Sequence, residues 1–592
     1  MGVESFKGTL QKTQPWKKAF SLKNVSKVSS LFIDFNGMIY NALNKVYLTD
    51  TKGMSDEEKK QNEKKRSKLL KKDKTELEKL HISTIIQDLS NLVEKFHPED
   101  NLFVAIDGVV NSGKLGQQKG RRLPKGNQFK EDKLAIFDGN SVTPGTTFML
   151  NLDKAMEEWI LENHSSLATK VIYSSHLSPG EGEHKIYDYI RRDDYIKGDG
   201  MNIMYGLDND LIIIGIVNQI DNFYLWPEDE KGGKEMLSMD KLKELIFEQM
   251  YFEGSEDKFL LQDFCLIVMF LGNDFLHKFP TLTPEMDYNL KFLIDRYKNT
   301  GLHLTDENNN IIWEHYYKFL KNYNRFKSSV NEYYNYIKYY LYSKKNDDFI
   351  PYPEIENNIV ELQNERGKGY GFNYAGFRNE WYQKQFNENI IQWNGDVFED
   401  FDEELVSEMC INYLQTVQWV QYYYTKGYRY VSDFHFYHYI YNPLLGDVVR
   451  TLGNLIKKNK TYQLRDVLRK PDDFEINVVH QLLSVMPEVS MKIVPNGFKK
   501  FYSQIKVLNP EVFEIKDENT KKSKPHQKYP ILPTVNVPYI NEILKEANYK
   551  LPKNLQSKED LVLYKKSSRK KKKLETPEED SEKYSVSLDE LL

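Results

Sequence analysis

Short runs of consecutive apolar residues recur in the first third of the chain, separated by longer amphipathic stretches. Four of these runs have the length of buried β-strands, and they cover residues 31–34, 102–107, 171–173 and 203–208. Between them lie stretches with helical character, such as 80–96 and 155–161. Near-continuous apolar strands that alternate with helices are typical of a parallel sheet covered on both faces. The pattern therefore predicts an α/β fold.

Changes in composition along the rest of the chain predict a second region and its boundaries. Residues 410–424 are predicted to form one long buried helix, whereas 44–79 are almost all charged or polar and indicate a solvated helix or a partly disordered insertion. The end of the chain is too charged to bury a core. We therefore divide the chain into an N-terminal region, a polar linker punctuated by glycine, a mainly helical second region and a charged disordered tail, at residues 1–343, 344–387, 388–551 and 552–592.

The composition narrows the class of protein without indicating a ligand. Of the 592 residues, 40% are hydrophobic and 29% are charged, as in soluble globular proteins. The longest apolar runs are far too short to cross a bilayer, and we expect no secretory signal. Cys265 and Cys410 lack the spacing of a disulfide framework or a zinc site, which favours a reducing intracellular compartment. The net charge of -5 does not suggest nucleic acid, although a locally basic path can still bind phosphates.

Acidic residues at the ends of the predicted strands carry the strongest chemical signal. Asp34, Asp107 and Asp208 each close an apolar run, and glycine or asparagine follows within two residues. Because ligand sites in an open parallel sheet lie beyond the carboxyl ends of the strands, these three side chains should converge on one crevice. A single aspartate in this position is more often a helix cap or a turn former, but here the arrangement recurs three times.

Four further carboxylates extend this predicted cluster. Glu181 and Glu183 follow the third strand at the start of an amphipathic helix, and Asp210 and Asp274 lie in Asp-Asn-Asp and Gly-Asn-Asp sequences. Seven carboxylates in one cleft repel each other unless a cation neutralises them. Oxygen ligands without histidine or cysteine suit hard cations, so we expect Mg²⁺ or Mn²⁺. Two such ions about 3.5–4 Å apart can activate a water and stabilise the leaving oxygen of a phosphodiester.

A basic segment at residues 111–130 directly follows Asp107 and contains no acidic residue. Its polar residues of interest are Lys114, Gln118, Arg121 and Arg122. Paired arginines can fork onto phosphate oxygens, and a glutamine can add a neutral donor. Cations on the rim of a carboxylate site suit a phosphate chain that spans both. The composition alone favours this interpretation and a solvated basic loop about equally.

Together, these segments resemble the signature motifs of the XRN family of 5′→3′ exoribonucleases, in the family's order and over nearly the whole chain. The motifs of the first conserved region lie at residues 32–41, 107–122, 137–146, 179–185, 206–210 and 272–276. Those of the looser second region lie at 414–424, 436–439, 486–487 and 538–540. A chance assembly of this many ordered motifs is not credible.

The resemblance implies a fold, an activity and residue roles. The expected fold is a PIN-like, flap-nuclease-like parallel sheet flanked by helices, with the mainly helical second region packed on it. The expected activity is processive hydrolysis of single-stranded RNA with a 5′-monophosphate, which releases mononucleotides. Two Mg²⁺ or Mn²⁺ ions would be held by seven catalytic carboxylates, assisted by Lys114: Asp34, Asp107, Glu181, Glu183, Asp208, Asp210 and Asp274. The substrate would be bound by Lys114, Gln118, Arg121, Arg122, Asn36 and Tyr40.

Two departures from the family pattern concern base stacking and the C-terminal end. Tyr40 stands where the family usually has a histidine that stacks on the first base, and a tyrosine ring can also stack there. The stretch that usually supplies a stacking tryptophan offers Tyr430 or Phe434 instead. We expect a nearly minimal core, without the C-terminal domains of the large cytoplasmic members and without the zinc knuckle of some nuclear members.

Two other functions are compatible with the same residues. A structure-specific DNA or flap nuclease uses the same metal chemistry, but that superfamily lacks the second region. A non-catalytic binder of RNA 5′ ends would tolerate losses among the carboxylates, whereas all seven positions are acidic here. We expect a monomer that binds single-stranded RNA and no membrane, in the cytoplasm rather than the nucleus, although the basic run at 570–573 could be a nuclear address.

Overall fold

The computed structural model describes most of the chain between residues 6 and 565. The gaps within that range are 23–24, 52, 207, 219, 227–234, 280–281, 283–285, 325–352, 365–366, 394–401, 440, 471–473, 496, 507, 511–514, 518–527 and 531.

An eight-stranded mixed sheet forms the centre of the fold. The strands in chain order are β1 (Phe20–Leu22), β2 (Val28–Asp34), β3 (Asn101–Ala105), β4 (Lys170–Ser174), β5 (Met201–Tyr205), β6 (Phe223–Trp226), β7 (Glu235–Ser238), β8 (Ile359–Asn364), β9 (Gly367–Phe372), β10 (Ile515–Asp517), β11 (Lys528–Pro530) and β12 (Leu561–Tyr564). The order across the sheet is β1-β7-β6-β5-β2-β3-β4-β12. Strands β8 and β9, and strands β10 and β11, pair separately as antiparallel ribbons.

The four predicted strands are confirmed as β2, β3, β4 and β5, which lie side by side and pair in parallel. All of their residues are buried, because helices cover both faces of the sheet. The sheet is mixed rather than purely parallel, since β7 pairs antiparallel with β6 at one side and β12 pairs antiparallel with β4 at the other. The α/β class predicted from the strand pattern is therefore confirmed.

The helices in chain order are α1 (Phe6–Lys12), α2 (Asn36–Tyr47), α3 (Asp56–Leu69), α4 (Lys74–Phe96), α5 (Ser112–Glu131), α6 (Thr147–Leu167), α7 (Gly182–Ile190), α8 (Asp210–Val217), α9 (Met239–Met250), α10 (Asp257–Val268), α11 (Met286–Thr300), α12 (Trp313–Asn324), α13 (Pro353–Asn357), α14 (Tyr374–Trp393), α15 (Glu403–Thr425), α16 (Leu445–Lys457), α17 (Val478–Val485), α18 (Lys499–Ile505) and α19 (Val537–Glu546). None of the helices within the described residues is long and apolar enough to cross a membrane.

Successive residues of β2 face two different cores, as the pleat of a strand requires. Leu31 and Ile33 belong to a core that includes apolar residues of α2, α4 and α6. Phe32 belongs to a larger core on the other face, which includes residues of α7 to α10 and also of α15 and α16 from the second region. The second region is therefore packed directly on one face of the central sheet, as the resemblance implied.

The connections place a topological switch point between β2 and β5. The chain proceeds from β2 to β3 and β4 on one side, then returns to β5 beside β2 and continues to β6 on the other side. Loops that leave neighbouring strands in opposite directions open a crevice at the carboxyl ends of those strands. Asp34 is the last residue of β2 and lies at the mouth of this crevice.

The segment 344–387, predicted to be a polar linker, is not one where the structure describes it. Its later part forms α13, the β8–β9 ribbon and the start of α14. Phe377, Trp381 and Tyr382 of α14 are buried, with the Trp381 ring 5.2 Å from that of Tyr441. Phe377 and Trp381 are four residues apart and lie on one face of the helix, with Tyr382 beside Trp381, a pattern that the polar residues between them obscured in the sequence. Residues 344–352 lie outside the described residues.

The tail predicted to be disordered from residue 552 instead begins with an ordered strand. In β12, Leu561 and Leu563 pack against a core while Val562 and Tyr564 are exposed. The edge of β4 supplies hydrogen-bond partners that a charged segment could not provide for itself, which is why composition alone was misleading. Residues 566–592, with the basic run at 570–573, lie outside the described residues. In the predicted insertion, α3 is a largely exposed helix, as one of the two alternatives stated.

Candidate active site

Three carboxylates from different elements approach one another at the switch point. Asp34 ends β2, Asp107 lies two residues beyond β3, and Glu183 is in the first turn of α7. One carboxylate oxygen from each lies within 4.8 Å of the other two. Asp107 is held in place by the backbone N–H of Gly182, which donates to its Oδ1 at 2.8 Å, and by the Asn36 side-chain amide, which donates to its Oδ2.

Helix α7 can approach this closely because its first residue has no side chain. A Cβ on Gly182 would lie 2.8 Å from Oδ1 of Asp34 and 3.3 Å from the carbonyl oxygen of Ala105. The first contact is closer than real Cβ atoms make and the second is tighter than usual, so another residue here would require Asp34 or the start of α7 to shift. The glycine therefore allows Glu183 to join the two aspartates.

Lys114 links two more carboxylates to this group. Its ammonium nitrogen lies 2.5 Å from Oε1 of Glu181 and 2.7 Å from Oδ2 of Asp274, and all three side chains are at least nine-tenths buried. Burial would lower the pKa of Lys114, but Asp274 and Glu181 outweigh burial and raise that pKa well above its ordinary value. Burial would likewise raise the pKa of Asp274, but Lys114 holds it below its ordinary value. These groups form a charged triad inside the protein.

Asp208 and Asp210 complete the set of seven predicted carboxylates. Asp208 is exposed in the loop after β5, and its charge helps to raise the pKa of Asp34. Asp210 is buried at the start of α8, where burial first and the charge of Asp274 next raise its pKa to about 7. The structure thus brings all seven predicted carboxylates into one electrostatically connected crevice.

The carboxylates that form no ion pair with Lys114 repel one another. Burial, followed by Asp107 and Asp208, raises the pKa of Asp34 well above its ordinary value. The pKa of Glu183 is raised in the same way, by burial and then by Glu181, Asp34 and Asp107. Raised pKa values in a cluster of this kind mean that bound cations or protons stabilise it. Closely spaced carboxylate oxygens are the ligands that hard divalent cations prefer, so these residues fit Mg²⁺ or Mn²⁺.

Two tyrosines of the second region reach the crevice, and the sequence analysis did not identify them. The Tyr423 hydroxyl donates to Oε2 of Glu181 at 2.6 Å, and the Tyr424 hydroxyl donates to Oδ1 of Asp210 at 3.0 Å. Both lie at the C-terminal end of α15, which was predicted as one buried helix. The apolar pattern predicted that this helix is buried. It does not predict which carboxylate accepts a hydrogen bond from a tyrosine of the helix.

The predicted basic segment forms helix α5, whose first turn enters the crevice. Lys114, Gln118 and Arg122 lie four residues apart and therefore on one face of the helix. Nε of Arg122 donates to the Thr143 hydroxyl at 2.8 Å. In contrast, Nε and Nη2 of Arg121 are buried and have no hydrogen-bond partner among the described residues. The helix thus carries one arginine bonded within the protein and one with unsatisfied donors.

The predicted base-stacking residues differ in how much of each ring is available. Tyr40 is partly buried, with the ammonium of Lys125 4.7 Å from the centre of its ring. Tyr430 is 57% exposed, whereas Phe434 packs against Phe474 at 4.7 Å between ring centres. Of the two proposed substitutes for the usual tryptophan, Tyr430 is therefore the one with a surface open to a ligand.

The fold and the crevice define an α/β protein of the PIN-like class with an acidic site at the topological switch point. Residues 1–229 match the family model described as "XRN 5'-3' exonuclease N-terminus", and residues 371–589 match the model described as "Xrn1 helical domain". The chain belongs to the XRN family. The motif resemblance stated from the sequence is thereby confirmed.

Similar proteins include two named 5'-3' exoribonuclease 1. The one from Schizosaccharomyces pombe is 24% identical over 88% of this chain and 47% of the relative, and the human one is 23% identical over 79% and 31%. A 5'-3' exoribonuclease 2 of Arabidopsis thaliana is 25% identical over 80% of this chain and 60% of the relative. The alignment to the first of these thus spans about half of the relative's length, and that to the human protein about a third.

Proposed function

We propose that this chain hydrolyses single-stranded RNA from a 5′-monophosphate end, processively and with release of mononucleotides. The names of its relatives support the reaction class, since all three are called 5'-3' exoribonucleases. The motifs at which the chain resembles the XRN family meet in one crevice, which supports transfer of the reaction to this chain.

One juxtaposition carries the proposal: helix α5 connects an acidic crevice to a cationic group with unsatisfied donors. Lys114 at its start pairs with Glu181 and Asp274. Arg121 lies two turns further on, about 10 Å along the helix axis, with buried donors that no described residue accepts. Since buried guanidinium donors without an acceptor are costly, an anion is the natural ligand. RNA supplies an anion for each position, a terminal phosphate at Arg121 and a phosphodiester near Lys114.

We propose that two divalent ions bind among the carboxylates, at Asp34, Asp107, Glu181, Glu183, Asp208, Asp210 and Asp274. When bound, Mg²⁺ or Mn²⁺ would supply an activated water and stabilise charge on the leaving oxygen. Lys114 lies between Glu181 and Asp274, where its ammonium can also stabilise negative charge on the scissile phosphate. Asn36, bonded to Asp107, and the hydroxyls of Tyr423 and Tyr424 keep the carboxylates oriented toward the crevice.

The unsatisfied donors favour Arg121 as the residue that binds the terminal phosphate most directly. Arg122 donates to Thr143, so its role in the pocket would be to add positive charge and to support the helix. Gln118 and Lys114 would complete the pocket on the same side of α5. A cap or a triphosphate adds bulk and charge that a pocket closed by the second region would exclude.

The first experiment compares one RNA with four different 5′ ends. A monophosphate should be degraded fastest, and triphosphate, capped and hydroxyl ends should be poor substrates. Arg121→Ala should remove most of the difference between the monophosphate and hydroxyl ends. Equal rates on all four ends would contradict the proposed terminal-phosphate pocket. A matched DNA strand in the same assay tests the alternative of a DNA nuclease, which requires degradation of DNA at a comparable rate.

The second experiment tests the metal. Chelation should abolish degradation, and Asp208→Asn should slow it by orders of magnitude while the RNA still binds, because one ligand charge is lost and the basic helix is intact. Asp193→Asn is a suitable control, because this exposed aspartate lies outside the crevice. Full activity of Asp208→Asn would contradict the two-ion assignment.

A further inference from the structure

A buried glutamine of the second region contacts the helix that carries the proposed phosphate pocket. Gln481 lies on α17 and is completely buried. Its Nε2 donates to Oε1 of Gln118 at 3.1 Å, and its Oε1 accepts from the backbone N–H of Val110 at 3.2 Å. Both ends of the Gln481 amide are therefore engaged by residues of the N-terminal region.

The backbone N–H of Val110 determines the direction of this chain of hydrogen bonds. A backbone N–H can only donate, so the end of the Gln481 amide that faces Val110 must be its oxygen. The NH₂ group of Gln481 then faces Gln118, and Gln118 must present its own oxygen in return. Because a backbone N–H cannot accept, this assignment fixes the positions of the oxygen and nitrogen atoms in both glutamine amides.

The NH₂ group of Gln118 is consequently directed away from Gln481. Gln118 lies one turn after Lys114 and one turn before Arg122 on the same face of α5, next to Arg121 in the following turn. No described residue accepts a hydrogen bond from its Nε2. A donor held in a fixed direction between cationic residues is complementary to an anion.

We infer that Gln481 is a positioning residue that holds Gln118 as a hydrogen-bond donor toward the 5′-phosphate of the substrate. The inference deepens the proposed function and rests on it, since the phosphate pocket is itself a proposal. It assigns the second region a part in selecting the substrate end, because α17 supplies the residue that orients the pocket glutamine.

The test reverses the polarity of the contact. In Gln481→Glu, a carboxylate can still accept from Val110 but cannot donate to Gln118, so Gln118 must turn its NH₂ toward residue 481 and its oxygen toward the phosphate. We measure kcat and KM for one RNA with a 5′-monophosphate and with a 5′-hydroxyl. The preference for the monophosphate should fall about tenfold or more, chiefly through KM, while the hydroxyl RNA is affected far less. Gln481→Met, which neither donates nor accepts, should reduce the preference by a smaller factor.

Two controls separate orientation from charge and from folding. In a Gln118→Leu background, Gln481→Glu should leave the remaining preference unchanged within about twofold, because no amide is left to turn. Leu483→Ala on the same helix should lower the melting temperature without changing the preference, since Leu483 packs in the core and its side chain has no group that could hydrogen-bond to Gln118. If Gln481→Glu does not fold, Gln481→Met decides alone, because its apolar side chain suits the buried position and cannot orient Gln118.

The outcomes are distinct. A wild-type chain that prefers the monophosphate, with Gln481 variants that keep this preference, would overturn the inference alone. A further loss of preference from Gln481→Glu in the Gln118→Leu background would also overturn it, because the effect would then come from charge. A wild-type chain with no preference at all would overturn the proposed phosphate pocket and the inference together.

Discussion

Single hydroxyl groups from the second region decide how the acidic crevice is held together. Burial and the nearby charge of Asp274 both disfavour a charged Asp210 side chain. The Tyr424 hydroxyl, which donates a hydrogen bond to this carboxylate at 3.0 Å, holds it in place. A hydrogen bond to a metal-binding carboxylate fixes the direction of its free oxygen, and loss of such a partner typically weakens metal binding 10–100-fold.

We therefore predict that Tyr424→Phe raises the Mg²⁺ concentration needed for half-maximal activity about tenfold, with a small change in melting temperature. Titration of activity against Mg²⁺ measures this. Tyr422→Phe is a matched control, because that hydroxyl lies on the same helix but bonds to Asn310 outside the crevice. An unchanged Mg²⁺ dependence in Tyr424→Phe would mean that the hydroxyl serves only to satisfy a buried carboxylate.

At the scale of elements, the strand β12 closes one edge of the sheet. It lies almost 400 residues after β4, the strand with which it pairs. It pairs with β4 over four residues, and Lys558 just before it forms ion pairs with Asp153 and Glu157 of α6. Without β12, the backbone groups along the edge of β4 would have no strand partner.

A chain that ends at residue 556 should therefore melt at least about 2 °C below the full chain. A chain that ends at residue 565 retains β12 and should melt like the full chain. Differential scanning calorimetry on the three proteins makes the comparison. Identical melting temperatures for all three would show that β12 contributes little to the stability of the sheet.

Helix α5 is anchored to the second region by a buried lysine that should make stability depend on pH. Lys119 donates to the carbonyl oxygens of Leu508 and Pro533, and burial lowers its pKa to about 7. The folded protein loses this proton more readily than the unfolded chain, in which the pKa is near 10.5. Stability should therefore increase as the pH rises from about 7 to about 9, and decrease as the pH falls through 7.

Lys119→Met should remove this part of the pH dependence, because methionine fills a similar volume and does not titrate. The free energy of unfolding, measured by denaturant titration at several pH values, gives the slope for each variant. Lys125→Met, which changes an exposed lysine of the same helix, should keep the wild-type slope. Equal slopes for wild type and Lys119→Met would show that the lysine stays charged in the fold.

For the whole molecule, the carboxylates of the crevice repel one another, and the proposed divalent ions would relieve this repulsion. The seven carboxylates proposed as ligands lie at or just beyond the ends of β2, β3 and β5, at the start of α7 and of α8, and in the loop that follows α10. Two tyrosines of α15 bond to them, so binding there would connect both regions. A ligand at about 100 times its dissociation constant adds about 2.7 kcal/mol to the free energy of unfolding.

Mg²⁺ or Mn²⁺ should consequently raise the melting temperature by about 2 °C, whereas a monovalent salt at equal ionic strength should not. Asp208→Asn should reduce the shift. A melting temperature that responds equally to both salts would mean that the carboxylates are screened by ions in general and do not bind a divalent cation specifically.

The sequence by itself determined the class of the fold and most of the crevice. Buried strands have to be apolar along their whole length, so β2 to β5 were visible, and acidic residues that follow such strands must meet at the carboxyl edge of a parallel sheet. Asp34, Asp107 and Asp208 were located by this reasoning, because both signals are local: they depend on neighbouring residues and on one rule of topology.

Only the tertiary structure decided which distant groups complete the site. Tyr423, Tyr424 and Gln481 belong to helices whose periodicity shows burial and nothing about their partners. The strand β12 and the buried face of α14 escaped notice for a related reason, since a charged or polar segment is ordered only when another element supplies its hydrogen bonds and its apolar contacts. Contacts between residues hundreds of positions apart depend on packing, and packing leaves no local pattern in the sequence.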